Sequence, residues 1–390
     1  MDLRDSPEEQ EFREGLRAWL RDNLPPGWNT PDWRWPEDRV GFLKEWSRKT
    51  HAAGYSGLAW PKEYGGAGAP LSRQATAYEE FARAEAPEHV GLIGIGMAGP
   101  TIIAAGTDAQ KGRYLQNILT GDEVWCQGFS EPGSGSDLAS LQTRAVPDGD
   151  GYRITGQKVW SSFAHIADRC ILLARTDPDA PKHEGITYFL LDMHAEGVET
   201  RPLRQITGTA DFNEIFLDDV VVPREDIVGE VDDGWKVAIT TLMFERGTSV
   251  FLLIGLLDSA FRKLVELART TSWNGGVAAD DPLVRDRIAG LYTDIQGLRF
   301  TNYRSLSTIT KRGVPGPEGS IAKLHWSLAN QRLTHLALEI LGPDAALWPG
   351  DDRSWQYRQL RTRGNTIEAG TNEVLRNIVA ERVLGLPKSR

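Results

Sequence analysis

Residues 125–137 read WCQGFSEPGSGSD and place three glycines and three serines around a single Glu131-Pro132 pair. Glycine lets the backbone approach a ligand closely, and serine hydroxyls both donate and accept hydrogen bonds. Such a loop suits a phosphate or the edge of a heteroaromatic ring, and the alternative is an ordinary Gly/Ser-rich surface connection. Neither a Walker loop nor a GxGxxG fingerprint is present, so the meaning of the segment depends on the rest of the chain.

Composition bounds the class of protein. The chain has 390 residues and a formal net charge of -10, which allows two or three compact units and argues against a nucleic-acid partner. Its longest apolar runs, such as residues 250–257, fall short of the roughly 20 residues of a membrane span. The acidic N-terminus is not typical of a signal peptide. Cys126 and Cys170 are too few and too far apart for a metal site, which predicts reduced, buried thiols in a cytoplasmic protein.

The chain before the opening loop is predicted to be helical. Ser6, Pro7 and Glu9 form a capping signature, and apolar residues at helical spacing follow, which predicts a helix over residues 7–23. Similar patterns predict helices over residues 40–53, 75–84 and 110–119. Residues 1–122 are therefore expected to form an N-terminal α-helical domain.

After the opening loop the hydrophobic period changes from helical to strand-like. Short apolar or alternating runs separated by turn signals include residues 170–174, 187–191 and 214–217, which favours strands. We expect residues 123–232 to form a small antiparallel β domain.

From Asp233 the pattern is helical again. Residues 235–268 form one long pattern that is apolar on almost every side between 250 and 257, as in a buried bundle helix. Further helices are predicted from Asp281-Pro282, over 320–341 and over 372–384. The fold class is thus α+β multidomain, with residues 233–390 as a C-terminal helical bundle.

Glu245 and Arg246 interrupt this apolar helix. A buried charge is costly unless it is paired or functional, and adjacent helical residues point about 100° apart, so the two are not expected to pair with each other. A glutamate that faces an apolar cavity has a raised pKa, which suits a general base near neutral pH. The alternative is a structural ion pair with another helix.

Two further segments are candidates for ligand binding. Trp160, with Ser162 two residues later at a strand end, could cover a planar cofactor while the hydroxyl bonds its polar edge. Thr371 and Glu373 lie where a loop meets a helix N-terminus, which favours an anion. The alternatives are a packing tryptophan and an ordinary capped helix.

Together the chain resembles the acyl-CoA dehydrogenase family over nearly its whole length. Five segments occur in the family's order and spacing: WPKEYGG (60–66), GFSEPGSGSD (128–137), GQKVWSS (156–162), FNEIFLDDVVVPREDIVGEVDDGWKVA (212–238) and TIEAGTNEVLRNIVAERVLGLP (366–387). The resemblance implies a helical domain, a small β-barrel domain and a C-terminal four-helix bundle. It also implies FAD, an acyl-CoA substrate of lipid β-oxidation, an electron-transfer flavoprotein as acceptor, and a homotetramer or hetero-oligomer.

The resemblance also assigns site residues. Phe129, Ser130, Trp160 and Ser162 would line the flavin ring, and Ser136 would lie near the flavin and the pantetheine of CoA. Thr371 and Glu373 would reach the phosphate or ribose region of FAD. A glutamate would remove the α-proton of the acyl-CoA, and the β-hydrogen would leave as hydride to flavin N5.

The identity of that glutamate follows from two placements within the family. Many members carry the base immediately before the Gly-Thr of the C-terminal motif, where this chain has Ala369. Others carry it on the long bundle helix, at the position of Glu245. Glu245 is therefore the expected base and Glu368, one residue out of register, is the second candidate. Arg246 matches a family arginine beside the substrate.

Two segments depart from the family pattern. An Arg-x-x-Phe-Gly segment that meets the FAD diphosphate across a subunit interface corresponds here to residues 271–275, with Thr271 in place of the arginine. Glu339 adds a negative charge where an adenine-nucleotide contact is expected. These departures leave open a weaker flavin site or a non-catalytic subunit of a hetero-oligomer, and a flavin oxidase or monooxygenase on the same fold is a further alternative.

Overall fold

The computed structural model describes residues 5–30, 32–247, 249–312, 316 and 319–388. Contacts divide the chain into two compact units. The helical unit comprises Met1–Asp32, Leu71–Ala86 and Arg246–Arg390, and the sheet unit comprises Trp33–Pro70 and Pro87–Glu245. The three domain boundaries expected from the sequence stay a prediction.

The first part of the chain is helical, as predicted. Ser6 caps the first helix through Glu9 N (3.2 Å), and the Glu9 carboxylate accepts in return from Ser6 N (3.0 Å). This reciprocal pair satisfies two of the helix's free amide donors. The helices up to residue 120 are α1 (Pro7–Asn23), α2 (Arg39–Ala52), α3 (Leu71–Arg83), α4 (Gly99–Ala105) and α5 (Asp108–Thr120).

The middle of the chain forms one seven-stranded sheet in the order β1-β4-β2-β3-β7-β6, with β5 paired to β4. Long β3 and β7 pair along most of their length, with register shifts between Ile154 and Gly156 and between Lys158 and Ser161. The strands are β1 (Trp125–Gly128), β2 (Arg144–Asp148), β3 (Gly151–Ser162), β4 (Arg169–Arg175), β5 (Ile186–Asp192), β6 (Val198–Leu203) and β7 (Phe212–Pro223).

Two pairings in this sheet depart from the antiparallel prediction. β1 runs parallel to β4, with Cys126 opposite Cys170, and β2 meets β4 in a parallel bridge at Arg144 and Arg175. Parallel neighbours need a long crossover connection, and the chain between β1 and β4 supplies one through β2 and β3. Most residues of β1 and β4 are buried on both faces, a pattern that carries no information about strand direction.

In the described part of the chain after β7, the regular elements are helices and one short hairpin. The predicted pattern over residues 235–268 corresponds to two described helices, with Thr248 outside the described residues. A short helix at Trp355 was not predicted, because its residues are all half-buried and show no apolar stripe. The elements are α6 (Gly234–Gly247), α7 (Ser249–Thr270), β8 (Ser272–Trp273), β9 (Gly276–Val277), α8 (Pro282–Arg312), α9 (Gly319–Leu341), α10 (Trp355–Arg361) and α11 (Asn372–Ile378).

Each unit has its own apolar core. In the sheet unit, Ile171, Tyr188 and Leu190 belong to a cluster that also includes residues of α4, α5 and α6. In the helical unit, α7, α8 and α9 pack through residues such as Leu264 and Leu333. Among the described residues, none of the helices combines the length and the apolar character that crossing a membrane requires.

A buried carboxylate joins α1 to α3 within the helical unit. Glu80 on α3 is only 2% exposed. It accepts hydrogen bonds from Arg17 Nε and Nη2 (2.6 and 2.8 Å) and from Arg13 Nη1 (2.7 Å). Burial by itself would raise the pKa of Glu80, but the bonds from Arg17 and Arg13 outweigh it and lower that pKa below its ordinary value.

We expect Glu80→Gln to lower the free energy of unfolding by about 1.5–3 kcal/mol at pH 7, because it removes the charged acceptor of Arg17 and Arg13. The loss is limited because Arg17 is 43% exposed and Arg13 keeps its bonds to Asp5 and Glu79. The folded-state pKa of Glu80 is lowered, so its contribution is present above the ordinary glutamate pKa of about 4.3 and is lost as pH falls through the folded value. The gap between wild type and variant, measured by urea denaturation, therefore narrows in acid. Glu14→Gln, an exposed position on α1, serves as the control, and equal stability of all three proteins would contradict the argument.

Candidate functional site

Three successive residues of the opening loop are held by two successive residues of β3. Lys158 is completely buried, and its Nζ donates to the Glu131 carboxylate (2.8 Å) and to Phe129 O (3.2 Å). Val159 N donates to Ser130 O (2.9 Å). The loop is therefore fixed against the strand that continues directly into Trp160.

The Glu131 carboxylate is also the centre of the loop itself. It accepts from the backbone amides of Gln142 (2.6 Å) and Thr143 (2.8 Å) in addition to Lys158. Burial would raise the pKa of Glu131, but the Lys158 charge and these donors lower it. Burial lowers the pKa of Lys158, although Glu131 opposes that effect. Sequence reasoning missed this pair, because its two residues lie 27 positions apart in the chain.

Trp160 lies on a bulge of β3 with its side chain in solvent. Lys158 is opposite Ile215 and Ser161 is opposite Asn213, so β3 has one more residue here than β7. The extra residue places Trp160 at φ 62°, in the left-handed region that bulky side chains avoid. Its side chain is 63% exposed and meets only the edge of Phe212 among the described aromatic rings, at 6.3 Å between centroids.

The hydroxyls beside this tryptophan are available to a ligand. Ser162 ends β3 and is half-buried, as is Ser130 in the loop. The buried Oγ of Ser161 has no hydrogen-bond partner among the described residues. The structure thus brings Phe129 and Ser130 beside β3 at Trp160. Ser136 is exposed and follows a tight turn closed by Glu131 and Ser134. No described contact links Ser136 to Phe129, Ser130 or Trp160.

The C-terminal candidates lie in the helical unit. Thr371 caps α11 through Val374 N (3.3 Å), and Glu373 is exposed in the first turn. The backbone before the cap is left-handed at Ala369 (φ 53°) and Gly370 (φ 89°), and Gly370 O accepts from Lys323 Nζ (2.8 Å). The helix start is thus held in place from α9.

The two glutamates proposed as base have different surroundings. The Glu368 carboxylate accepts from Arg361 Nη2 (2.8 Å) with one oxygen and from Asn365 Nδ2 (2.6 Å) with the other. Glu245 and Arg246 lie on the backbone of α6, but their side chains are outside the described residues. Both assignments stay predictions.

The two segments that depart from the family pattern are internally satisfied. Residues 272–277 form the β8–β9 hairpin, whose turn residues Asn274 and Gly275 both have positive φ, as an Asn-Gly hairpin turn requires. Glu339 is not an isolated charge, because it pairs with Arg287 of α8 and with His335 Nε2 (3.0 Å). The bond from Arg287 lowers the pKa of Glu339.

Comparison with known proteins gives the class to which this fold and these segments belong. Models of the N-terminal, middle and C-terminal domains of acyl-CoA dehydrogenases match residues 6–122, 126–220 and 232–384. The solved structure of the "Tcur3481-Tcur3483 steroid ACAD" is similar at a TM-score of 0.87 with 35% identity, covering 100% of both chains. The ChsE4-ChsE5 complex from Mycobacterium tuberculosis is similar at a TM-score of 0.86 with 32% identity, again over 100% of both chains.

Among characterised sequences, the acyl-CoA dehydrogenase IpdE1 of Mycobacterium tuberculosis is 43% identical over 389 residues, covering 97% of this chain and 98% of that protein. The chain belongs to the acyl-CoA dehydrogenase family, whose members are FAD-dependent oxidoreductases that act on CH–CH groups. The predicted α+β architecture of helical domain, central sheet and C-terminal helices is confirmed.

We expect Trp160→Gly to lower FAD retention while changing the stability of the flavin-free protein by no more than about 1 kcal/mol. Relief of the left-handed backbone, worth about 1–2 kcal/mol, offsets the lost Phe212 contact and the entropy cost of glycine. Flavin content after gel filtration and urea denaturation of the apoprotein check the two parts. Trp348→Gly, at another exposed tryptophan, is the control. Full flavin retention in Trp160→Gly would contradict a role of Trp160 at the flavin ring.

Proposed function

We propose that this chain catalyses the FAD-dependent α,β-dehydrogenation of an acyl-CoA thioester. The observation that carries the proposal is Trp160, a large aromatic side chain held out of the sheet on strained backbone beside the half-buried hydroxyls of Ser130 and Ser162. Strained residues persist where the surrounding structure enforces them, commonly at ligand sites. A planar heteroaromatic group fits these residues, because it would cover the exposed ring and meet hydroxyls at its edge.

Phe129, Ser130, Trp160 and Ser162 would line the flavin, and Thr371 with Glu373 would hold its phosphate or ribose region. Ser136 would lie between the flavin and the pantetheine of CoA. When bound, FAD supplies the acceptor for the β-hydrogen, which it takes as hydride at N5. The chain supplies orientation and exclusion of water around the substrate. The expected electron acceptor is an electron-transfer flavoprotein, and the expected assembly is a tetramer of like or unlike chains.

Glu245 is the proposed base for the α-proton. Such a base needs a carboxylate oxygen with a free lone pair and a pKa near the working pH. The contacts of Glu368 favour Glu245, because hydrogen bonds from Arg361 and Asn365 hold both Glu368 oxygens in place, and the carboxylate would have to leave these donors to approach a substrate. Arg246 would lie beside the substrate. Hydrogen bonds to the thioester carbonyl would stabilise the incipient enolate.

The comparison with solved structures favours a steroid-derived acyl group in the substrate. The "Tcur3481-Tcur3483 steroid ACAD" is 35% identical over 100% of both chains, whereas other similar structures carry different substrates in their titles. We propose a bulky polycyclic acyl-CoA as the substrate class, ahead of straight-chain thioesters.

A second candidate function is that of one subunit in an assembly of two unlike chains. Thr271 stands where the family arginine meets the FAD diphosphate, and the hairpin that follows packs Trp273 against the helical core. Two of the similar structures are named as pairs of differently named proteins. In such an assembly the partner chain would complete the flavin site.

We expect Glu245→Gln to abolish the anaerobic bleaching of flavin absorbance by an acyl-CoA, because the amide cannot accept the α-proton. The same bleaching assay, run on the wild-type protein with a panel of steroid-derived, branched and straight-chain CoA thioesters, identifies the substrate class. Glu368→Gln is the matched control and should retain bleaching. Full bleaching by Glu245→Gln with loss in Glu368→Gln would reverse the assignment.

We expect Thr271→Arg to increase the FAD affinity of the purified chain by roughly tenfold or more, since a charge-assisted hydrogen bond contributes about 1.5–3 kcal/mol. Equilibrium dialysis against FAD measures the change. Ser272→Arg adds the same charge at the neighbouring exposed position and is the control. A chain that stays colourless after FAD addition, in wild type and Thr271→Arg alike, would count against a stand-alone enzyme and for the two-chain assembly.

A further inference from the structure

Three hydroxyl groups meet inside the apolar core of the sheet unit. Thr241 Oγ1 lies 2.9 Å from Thr101 Oγ1 and 3.2 Å from the Tyr188 hydroxyl, and it also donates to Val237 O (3.0 Å). All three side chains are completely buried. A buried hydroxyl without a partner costs free energy, and Thr241 supplies the hydrogen-bond partner of both Thr101 and Tyr188. We call this group the hydroxyl cluster.

The hydroxyl cluster joins three elements. Thr101 is on α4, Tyr188 is on β5 and Thr241 is in the middle of α6. Apolar residues of the same core surround it, including Ile102, Leu190 and Ala238. Burial raises the pKa of Tyr188, so its phenol stays protonated and can donate to a threonine oxygen at working pH. The hydroxyl cluster therefore connects α4, β5 and α6 through hydrogen bonds between uncharged groups.

Helix α6 is attached to β5 at a second point, its first turn. A β-carbon on Gly234 would lie 2.5 Å from Tyr188 N, so the helix starts in direct contact with the strand backbone and only glycine fits there. The preceding residue, Asp233, forms a bridge to Ile186 of β5. Contact at the start and hydrogen bonds at Thr241 together fix both the position of α6 and its rotation about its own axis.

The same tyrosine also contacts the opening loop. The Tyr188 ring meets Phe129 edge to face, with centroids 6.0 Å apart and planes at 85°. Along α6, Glu245 follows Thr241 by four residues, which places its α-carbon one turn further, about 6 Å along the axis. Tyr188 is thus in contact both with the loop proposed to line the flavin and with the helix that carries the proposed base.

We propose that Thr241, Thr101 and Tyr188 are positioning residues that set the register of α6, and hence of Glu245, relative to the loop at Phe129. The inference rests on the proposed function, because it assigns these hydroxyls to the placement of that base. None of the three takes part in the chemistry. Their effect is on how closely the base approaches the α-carbon, and a misplacement of about 1 Å can cost 10²-fold in rate.

The test removes single hydroxyls while it keeps shape, in Thr241→Val and Tyr188→Phe of the full-length flavin-loaded protein. At saturating acyl-CoA, we expect the rate of anaerobic flavin reduction to fall by about 10- to 100-fold, with flavin content and the acyl-CoA dissociation constant close to wild type. Thr241→Ser, which restores the hydroxyl, should recover most of the rate. Thr240→Val is the control, because the Thr240 hydroxyl bonds Lys236 O within α6.

Hydrogen exchange of the α6 amides gives a second readout that does not need activity. We expect faster exchange of the α6 amides after Thr241 in Thr241→Val and Tyr188→Phe, and no change in Thr240→Val. Unchanged exchange and unchanged reduction rates would overturn the inference, as would a loss of rate that Thr241→Ser fails to recover. If exchange is faster in Thr241→Val and Tyr188→Phe but no acyl-CoA reduces the flavin of the wild-type protein, the positioning of α6 by the hydroxyl cluster is supported and the proposed function is contradicted.

Discussion

The buried ion pair between Lys158 and Glu131 is the interaction on which the site in the sheet unit depends. Removing a lysine from water is expensive, and the cost is offset where the charge is paired with an opposite charge and hydrogen-bonded. Here Nζ bonds both the carboxylate and Phe129 O, and the carboxylate accepts two further backbone amides. Loss of either partner would leave an uncompensated charge in the core. The opening loop is thus tied to β3 by a completely buried charge.

The ion pair also explains the position of Trp160. Lys158 must point inward to reach Glu131, and Ser161, three residues later, is again buried and paired opposite Asn213. A regular strand would place residues 158 and 161 on opposite faces, so an extra residue is required between them. The bulge supplies it and turns Trp160 outward at positive φ. The strain at Trp160 therefore originates in the inward-facing charge, and it presents an aromatic face to solvent where a ligand is proposed to bind.

Local signals in the sequence predicted the local features well. The Ser6–Glu9 capping box gave α1 over Pro7–Asn23, and the change of period after residue 125 gave the sheet. Features that join distant residues were not predictable. The Lys158–Glu131 pair spans 27 residues, and the partner of Glu339 lies 52 residues away on α8. The parallel pairing of β1 with β4 depends on the crossover connection through β2 and β3, which the sequence of either strand does not reveal. The Asn274-Gly275 hairpin, in contrast, carried a readable signal that the family comparison obscured.

The placement of the base shows how the two kinds of information combine. Many family members carry the base just before the Gly-Thr motif, but here Ala369 is at that position, and the neighbouring Glu368 is held by hydrogen bonds from Arg361 and Asn365. The proposed reaction then depends on α6, a helix that contacts β5 at Gly234 and is proposed to be positioned by neutral hydroxyl groups at Thr241. Neutral hydrogen bonds suit this task, since they orient the helix without adding a charge that would shift the pKa of a nearby base.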